Sequence, residues 1–470
     1  MKFDLNETIV APATLPGTGA ITVIRMSGPD SFAVADRVVK LASGTIGTSA
    51  ANSIRFGTAC YPGGEPLDEV LVSVFRSPHS YTGEDSVEIS CHASKFIAEE
   101  LVLQLCNAGA RTAEPGEFTR RAYVNGKMDL AQAEAVADII ASTGSASLRV
   151  AMNQLKGGYS KELSAVRERL LEMTSLLELE LDFSEEDVEF ADRSRLLELL
   201  DSSLAHIYSL TDTFRYGNAL RNGVPVAIVG AANSGKSTLL NSLVGEQRAI
   251  VSDIAGTTRD TVEEMLNIDG HLFRIIDTAG LRETSDSIEK IGIERAYSKL
   301  SEASVVLAMV DLTSSGPEIE DSISDILKRV DFSCQKLLIL ANKVDLEGSN
   351  KNVSVINNVV SSTNNEIVTL NISAKAGIGL KGLKEALVAT QNDSPVNSGQ
   401  TIVTNLRHYE ALRNASSALE SVRTSLLSGL TPDLIAEDLR QALHHLSAIL
   451  GEVTPDEVLG NIFSRFCIGK

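Results

Sequence analysis

One stretch constrains the fold of this chain more than any other, the sequence Val226-Ala-Ile-Val-Gly-Ala-Ala-Asn-Ser-Gly-Lys-Ser-Thr238. An apolar run typical of a buried strand leads through a glycine-rich loop into a helix start. Gly230, Gly235, Lys236 and Ser237 fit the phosphate-loop pattern G-x-x-x-x-G-K-[ST]. In this pattern backbone N–H groups and the helix dipole attract phosphates, the lysine contacts the β- and γ-phosphates, and the serine binds Mg²⁺. A plain glycine turn between strand and helix is the alternative.

Three later motifs favour the nucleotide interpretation, because each follows an apolar run as the phosphate loop does. Asp277-Thr-Ala-Gly280 offers a carboxylate to Mg²⁺ and the Gly280 N–H to a γ-phosphate. In Asn342-Lys-Val-Asp345 the Asp345 carboxylate can accept two N–H bonds from a guanine edge, which adenine cannot supply. The backbone of Ser373-Ala-Lys375 can close over the base. Together the four motifs predict a GTP site with Mg²⁺ in an α/β domain.

Composition limits the remaining possibilities. The chain has 470 residues, which suggests about three domains, and its net charge is −20. It has no apolar run of membrane-spanning length and no signal-peptide core, so a cytoplasmic location without membrane contact is expected. Its five cysteines are scattered, which argues against a disulfide framework or a zinc site. An RNA partner would have to meet local basic patches or a second protein.

The pattern along the chain predicts a multidomain α/β and α+β protein. Residues 1–125 are expected to form an α+β domain, with strands over 21–24, 70–75 and 86–91 and a helix over 93–105. Helical periodicity dominates 126–222 and returns in 394–470, on either side of a nucleotide-binding domain at 223–393. Neither helical segment is rich enough to bury a core alone, so we expect the two to pack together around the inserted domain.

The stretch between the phosphate loop and Asp277 is expected to act as a switch. Thr258 can offer its hydroxyl to Mg²⁺ only when its loop closes on a γ-phosphate. Leu281 occupies the position where simple GTPases often carry a glutamine, and leucine cannot orient water. Candidates for that role follow in Arg282, Glu283 and Glu289, for which a solvated switch segment is the alternative.

These residues resemble the tRNA modification GTPase family called MnmE or TrmE. The resemblance covers essentially the whole chain, and its most specific segment is the ending Phe466-Cys-Ile-Gly-Lys470. Ala232 departs from the family, which usually has proline there. The segments that carry the resemblance are 8–14, 81–85, 115–118, 125–135, 256–260, 277–283, 291–296 and 466–470.

For the amino-terminal domain the resemblance implies homodimerisation and binding of 5-formyl- or 5,10-methylene-tetrahydrofolate. The positions that match the folate contacts are Arg25, Glu88, Lys127 and Lys470. The resemblance also implies a heterotetramer with the flavoprotein MnmG. The pair would add a carboxymethylaminomethyl or aminomethyl group at carbon 5 of the wobble uridine of certain tRNAs, and the partner could supply the basic surface.

For hydrolysis the resemblance implies a potassium ion at Asn233, with Ser252, Ile254 and Thr257 completing its shell. It assigns water orientation to Glu289 and a role in modification to Cys467, and it places Lys236 among the catalytic residues. Ser237 and Thr258 are the expected Mg²⁺ ligands. The expected GTP contacts are Asn233, Ser234, Gly235, Lys236, Ser237, Thr238, Ser252, Ile254, Thr257, Thr258, Asp277, Thr278, Ala279, Gly280, Asn342, Lys343, Asp345, Ser373, Ala374 and Lys375.

Two other functions remain alternatives at the level of the sequence. The first is a nucleotide-gated interaction switch in ribosome assembly, which would share only the GTPase part. The second is a folate-dependent transferase that the GTPase domain regulates. The amino-terminal segments and the Cys-Ile-Gly-Lys ending favour tRNA modification over the first alternative.

Overall fold

The computed structural model divides into two compact units, each built from segments that are far apart in the sequence. The terminal unit contains residues 1–137, 154–201 and 417–470, and the central unit contains residues 138–153 and 202–416. The residues that the structure describes are 6–15, 17, 19–142, 144–182, 193–247, 264–276, 300, 302–346, 350–363, 366–391, 401–453, 456–464 and 466–469.

A seven-stranded sheet forms the amino-terminal part of the terminal unit. Its strands are β1 (Ile9–Pro12), β2 (Ile21–Ser27), β3 (Val39–Leu41), β4 (Ser53–Cys60), β5 (Pro66–Phe75), β6 (Ser86–His92) and β7 (Arg111–Thr112). They lie in the order β3-β4-β5-β6-β2-β1-β7. All neighbours are antiparallel except β1 and β7, which are parallel.

One face of this sheet is buried, whereas the other is covered at β1 by Phe118 and open at β4 and β5. Helices α1 (Ser31–Val38) and α2 (Lys95–Asn107) pack on the buried face. Val72 in β5 is fully buried, whereas its neighbour Leu71 is 45% exposed, as expected when successive side chains of a strand point to opposite faces. Phe56 of β4 pairs with Leu71 and is also exposed, so the open face carries large apolar side chains.

Helices follow the sheet through the middle of the chain. They are α3 (Glu117–Val124), α4 (Leu130–Ala141), α5 (Ser145–Leu155), α6 (Gly158–Asp182), α7 (Arg193–Asp212) and α8 (Phe214–Asn222). The predicted helical character of residues 126–222 is confirmed for the part of this segment that the structure describes.

A six-stranded sheet lies at the centre of the central unit. Its strands are β8 (Val224–Gly230), β9 (Glu264–Ile268), β10 (His271–Ile276), β11 (Val305–Asp311), β12 (Lys336–Asn342) and β13 (Val368–Asn371). The order is β13-β12-β11-β8-β10-β9. All pairs are parallel except β9 with β10. The helices are α9 (Lys236–Gln247), α10 (Gly316–Leu327), α11 (Asn350–Ser361) and α12 (Leu380–Ala389).

Both faces of this second sheet are buried. In β8, Val226 and Ile228 belong to one apolar core, and Ala227 and Val229 belong to the core on the opposite face. Near-continuous apolar strands of this kind are typical of parallel sheets covered by helices on both faces. The carboxyl ends of the parallel strands therefore share one edge, where open α/β sheets bind their ligands.

Three helices complete the chain, and one of them packs against a helix of the earlier predicted helical segment. They are α13 (Leu406–Ser428), α14 (Pro432–Leu450) and α15 (Asp456–Phe463). Within the terminal unit α6 packs along α14. The apolar stripe of α6 is buried, as its periodicity predicts, and it consists of Leu163, Val166, Leu170, Met173 and Leu177.

The predicted fold class is confirmed: an α+β amino-terminal part, helices from two segments and an inserted α/β domain. The three predicted amino-terminal strands lie within β2, β5 and β6, and the helix expected over 93–105 is observed as α2. The four domain boundaries stay a prediction, since the two compact units divide the chain at other positions.

Candidate functional site

The phosphate loop lies between the end of β8 at Gly230 and the start of α9 at Lys236, as its motif predicts. Gly230 has φ 152° and Gly235 has φ 103°, a region that glycine adopts freely. A Cβ on Gly230 would lie 2.3 Å from the carbonyl oxygen of Met309, and one on Gly235 would lie 2.3 Å from Nδ2 of Asn342. The close approach of the neighbouring strand ends therefore requires glycine at both positions.

The side chains of the loop are arranged around its own backbone. Lys236 Nζ donates hydrogen bonds to the carbonyl oxygens of Gly230 at 3.1 Å and Ala231 at 2.7 Å, so its ammonium group lies against the loop. Asn233 is exposed and has φ 58°, which is uncommon for a residue other than glycine. Such conformations cluster at functional sites. Ser237 is half-buried in the first turn of α9.

Asn342 connects the phosphate loop to the two base-recognition motifs. It ends β12, and only 3% of its surface is exposed. Its Nδ2 donates to the carbonyl oxygen of Ser234 at 2.7 Å, and its Oδ1 accepts from the backbone N–H of Ala374 at 3.0 Å. One buried amide thus holds together the phosphate loop, the end of β12 and the Ser-Ala-Lys segment.

The residues expected to contact the base surround this amide. Ser373 and Ala374 follow β13 and are buried, whereas Asp345 and Lys375 are exposed. Ser242 of α9 donates its hydroxyl hydrogen to the carbonyl oxygen of Ala374 at 2.9 Å. The structure therefore brings the Ser-Ala-Lys segment against the helix that begins at the phosphate loop.

Asp311 is a residue at this edge that the sequence did not single out. It ends β11 and forms an ion pair with Lys343. Burial opposes ionisation of Asp311, but hydrogen bonds from Lys343 and Thr313 outweigh it and hold the pKa of this carboxyl below its usual value. An aspartate at the end of an apolar run is the sequence signal that could have identified Asp311, and the same signal marks Asp277.

A second cluster forms around Arg25 on the open face of the amino-terminal sheet. Arg25 Nε and Nη2 each lie 2.9 Å from Glu88 Oε1, and both side chains are about one-quarter exposed. The guanidinium carbon is 5.5 Å from the ring centre of Tyr81 and 5.8 Å from that of Phe118. Arg25 Nη1 also donates to the carbonyl oxygen of Gly469 at 3.5 Å. Two of the four predicted folate positions are thus in direct contact.

Lys127 lies against the neighbouring turn. Its Nζ donates to the carbonyl oxygen of Pro78 at 2.9 Å, rather than joining the pair of Arg25 and Glu88. A Cβ on Gly83 would lie 3.3 Å from Lys127 Cγ, so the turn at Gly83, before β6, is closely packed against the turn at Lys127, after α3.

The carboxyl-terminal segment is held within the same unit. The Gly116 N–H donates to the carbonyl oxygen of Cys467 at 3.4 Å, and the Cys467 side chain is exposed. A Cβ on Gly469 would lie 2.1 Å from the carbonyl oxygen of Pro12, which ends β1. The end of the chain, as far as Gly469, thus lies against strands β1 and β2 of the amino-terminal sheet.

A buried ion-pair network near this cluster was missed by sequence reasoning. Glu117, 1% exposed, accepts from Arg111 at 2.7 and 2.8 Å, from Arg121 at 3.0 Å and from the backbone N–H of Glu114 at 2.9 Å. Burial raises the pKa of Glu117, but these hydrogen bonds lower it more, from its ordinary 4.5 to about 2. Arg121 also donates to Glu84 at 3.1 Å, which ties α3 to the turn before β6.

Several predicted site residues lie outside the described part of the chain, and their assignments stay predictions. They are Ser252, Ile254, Thr257, Thr258, Asp277, Thr278, Ala279, Gly280, Glu289 and Lys470, together with Leu281, Arg282 and Glu283.

Among the residues that are described, no helix has the length and apolar character needed to cross a membrane. The same residues include no group of three or more His, Cys, Asp and Glu side chains able to hold a metal ion.

Comparison with known proteins gives matches along the whole chain. A family model described as the MnmE helical domain matches residues 130–467, and one described as the GTP-binding protein TrmE N-terminus matches residues 8–127. The tRNA modification GTPases MnmE of Parabacteroides distasonis and Bacteroides fragilis are each 48% identical to it, over 468 and 467 residues. Each alignment covers 99% of this chain and 100% of the relative. The chain belongs to the tRNA modification GTPase MnmE family.

Proposed function

We propose that this chain hydrolyses GTP and that its nucleotide cycle drives modification of the wobble uridine of certain tRNAs. Family membership confirms the prediction of a GTP hydrolase. The observation that carries the proposal for this chain is the buried Asn342 amide, which contacts both Ser234 and Ala374. It joins the phosphate-binding segment to the base-binding segments, as one nucleotide spanning both would require.

Guanine specificity is assigned to Asp345, which is exposed three positions after Asn342. Asp345→Asn replaces an acceptor of two N–H groups by an amide that can donate to the carbonyl of xanthine. Asparagine keeps one acceptor but turns a donor toward the amino group of guanine, which predicts GTP binding weaker by roughly 100-fold or more, with xanthosine triphosphate binding gained. A nucleotide titration measures both. Asp321→Asn, an exposed aspartate of α10, is the matched control, and unchanged GTP affinity in Asp345→Asn would contradict the assignment.

The residues present also fit the two expected cations. The Ser237 hydroxyl lies in the first turn of α9, and the Asn233 amide is exposed in the loop before it; both are oxygen donors of the kind that Mg²⁺ and K⁺ accept. Potassium would add positive charge beside the phosphates. Within this chain, Lys236 and the loop N–H groups bind the phosphates, and we assign Glu289 to orienting water.

Turnover in potassium and in sodium at equal ionic strength tests the cation assignment. We expect faster hydrolysis in potassium, because the site needs several oxygens at longer distances than sodium prefers. Asn233→Ala should remove the difference while GTP stays bound, and Asn358→Ala in α11 should keep it. Equal rates in both salts for the native protein would show that Asn233 is an ordinary loop residue.

A reduced-folate site is proposed around Arg25, Glu88, Lys127 and Lys470. Glu88 can accept N–H bonds from a pterin ring, and Arg25 and the lysines can bind the carboxylates of the glutamate tail. The contact of Arg25 with Glu88 and Gly469 supports this assignment. Calorimetry with 5-formyl-tetrahydrofolate should give heat with the native protein and none with Arg25→Ala. The absence of heat in both would refute the site.

We propose that the open face of the same sheet is the homodimer interface. Phe56 and Leu71 are 52% and 45% exposed, and strand pairing puts them on the face that also carries Arg25 and Glu88. Neighbouring exposed apolar side chains of this size mark interaction surfaces. Phe56→Glu should shift the protein to monomer in sedimentation, whereas Leu103→Glu on α2 should not. A dimer that survives Phe56→Glu would contradict the assignment.

The modification itself is proposed to require the flavoprotein MnmG, in a cytoplasmic heterotetramer, because a chain of net charge −20 is poorly suited to bind tRNA alone. The exposed Cys467 is assigned a role in this step. Mass analysis of wobble uridines from a deletion strain carrying the native chain or Cys467→Ser tests the proposal. Unmodified uridines are expected without the chain. Fully modified uridines in the deletion strain would favour the alternative of a ribosome-assembly switch.

A further inference from the structure

The end of β11 and the loop that follows it, residues 311–315, contact the chain at the start of the Asn-Lys-Val-Asp segment and again beyond its end. The Leu312 N–H donates to the carbonyl oxygen of Asn342, the first residue of the segment, at 3.2 Å. Beyond it, Asn352 of α11 donates to the carbonyl oxygens of Leu312 and Ser314, both at 2.9 Å. The base-recognition segment is therefore fixed relative to the end of β11.

The third contact of this loop is the ion pair between Asp311 and Lys343. The Asp311 side chain is 13% exposed and that of Lys343 is 29% exposed, so water screens the pair only in part. Asp311 Oδ2 accepts from Lys343, while Oδ1 accepts from the backbone N–H of Thr313 at 2.9 Å and from its hydroxyl at 2.7 Å. Both carboxylate oxygens are thus in use, and the carboxylate has a fixed orientation.

Lys343 is the partner with the longer side chain in this ion pair. Its backbone has φ 72°, in the left-handed region, directly after the buried Asn342. A lysine side chain loses more conformational entropy than most when it is fixed, because it has four rotatable bonds. The ion pair with Asp311 already holds the ammonium group, and it leaves the four-carbon stem of Lys343, two residues before Asp345, as an apolar surface.

We infer that Asp311 is a positioning residue for guanine-nucleotide binding, which acts by anchoring Lys343 so that its stem is ready to pack against the base read by Asp345. The inference rests on the proposed guanine site. Its energetic basis is preorganisation: a side chain ordered before binding does not have to be ordered by the nucleotide.

Two substitutions separate this role from a general structural one. Asp311→Asn keeps the shape and the acceptor for Thr313 but removes the charge. Lys343→Met keeps the stem but removes the ammonium group. Each should weaken binding of a fluorescent GDP analogue to the full-length protein by about tenfold, the effect expected for one hydrogen bond to a charged group. Asp325→Asn, which breaks the exposed pair with Arg329, is the matched control and should leave the affinity unchanged.

The double variant decides between the two roles. If Asp311 acts through Lys343, Asp311→Asn has no further effect in the Lys343→Met background, and the double variant binds as each single variant does. Effects that multiply, or an Asp311→Asn protein that binds within twofold of the native one, would overturn the inference. Should Asp311→Asn fail to fold, Asp311→Glu keeps the charge and is expected to bind at least threefold more tightly than Lys343→Met; equal affinities would overturn the inference.

The failure of this inference is distinguishable from that of the proposed function. Loss of GDP binding in Asp345→Asn with normal binding in Asp311→Asn overturns only the role of Asp311. Normal GDP binding in Asp345→Asn overturns the guanine site itself.

Discussion

Replacement of Asn342 by alanine should affect both stability and nucleotide binding, because its amide is shared by two segments. The substitution removes the partner of the Ser234 carbonyl and of the Ala374 N–H, and these residues are 1% and 2% exposed. Each buried group left without a partner costs about 1–3 kcal/mol, so the central unit should lose about 2–6 kcal/mol. Relaxation that admits water would place the loss near the lower limit.

Denaturant unfolding of the full-length protein, with hydrogen exchange at the Ala374 amide, measures this loss. The exposed Asn222→Ala in α8 is the control and should change the free energy of unfolding by less than about 0.5 kcal/mol. GDP affinity should fall together with the protection of Ala374, since the phosphate-binding and base-binding segments are no longer joined. An Asn342→Ala protein with native stability and native GDP affinity would refute the argument that one amide assembles the site.

Three further substitutions test close packing around Glu117, Gly235 and Leu170. The folded-state pKa of Glu117, about 2, lies below its ordinary 4.5, so the stability that its charge contributes is complete above pH 4.5 and is lost as the pH falls toward 2. Glu117→Gln should therefore lower the free energy of unfolding at pH 7 by about 3 kcal/mol and flatten the acid-unfolding curve between pH 4.5 and 2. Gly235→Ala should abolish GTP binding in a titration, because its Cβ would lie 2.3 Å from Asn342 Nδ2. Leu170→Ala should cost about 2–5 kcal/mol in denaturant unfolding, whereas Leu171→Ala, at a partly exposed position of the same helix, should cost much less.

The sequence predicted the elements whose signals are local. The glycine spacing of the phosphate loop, the alternation in β6 and the apolar stripe of α6 each depend on residues within a few positions of one another. The hairpin of β9 and β10 was not predicted, although its Asp269-Gly270 turn is a recognised signal for two paired strands.

The contacts that assemble the candidate sites could not be predicted in the same way. Asn342 meets Ser234 across 108 positions and Ala374 across 32, and Arg25 meets Glu88 across 63. Such pairs depend on strand order and register, which no local periodicity specifies. Only the order of the four nucleotide motifs, each at the end of an apolar run, indicated that they would share one edge of the sheet.

The packing of α6 along α14 has a consequence for synthesis on the ribosome. The last residue of α6 is Asp182 and the first of α14 is Pro432, so 250 positions separate the two partners. At a synthesis rate of about 5–20 residues per second, the apolar stripe of α6 stays uncovered for roughly 10–50 s before the helix that covers it is made. During this time residues 202–416 can already complete the central unit. A nascent chain halted before residue 432 should therefore recruit chaperones through Leu163, Leu170 and Leu177, which the finished protein buries.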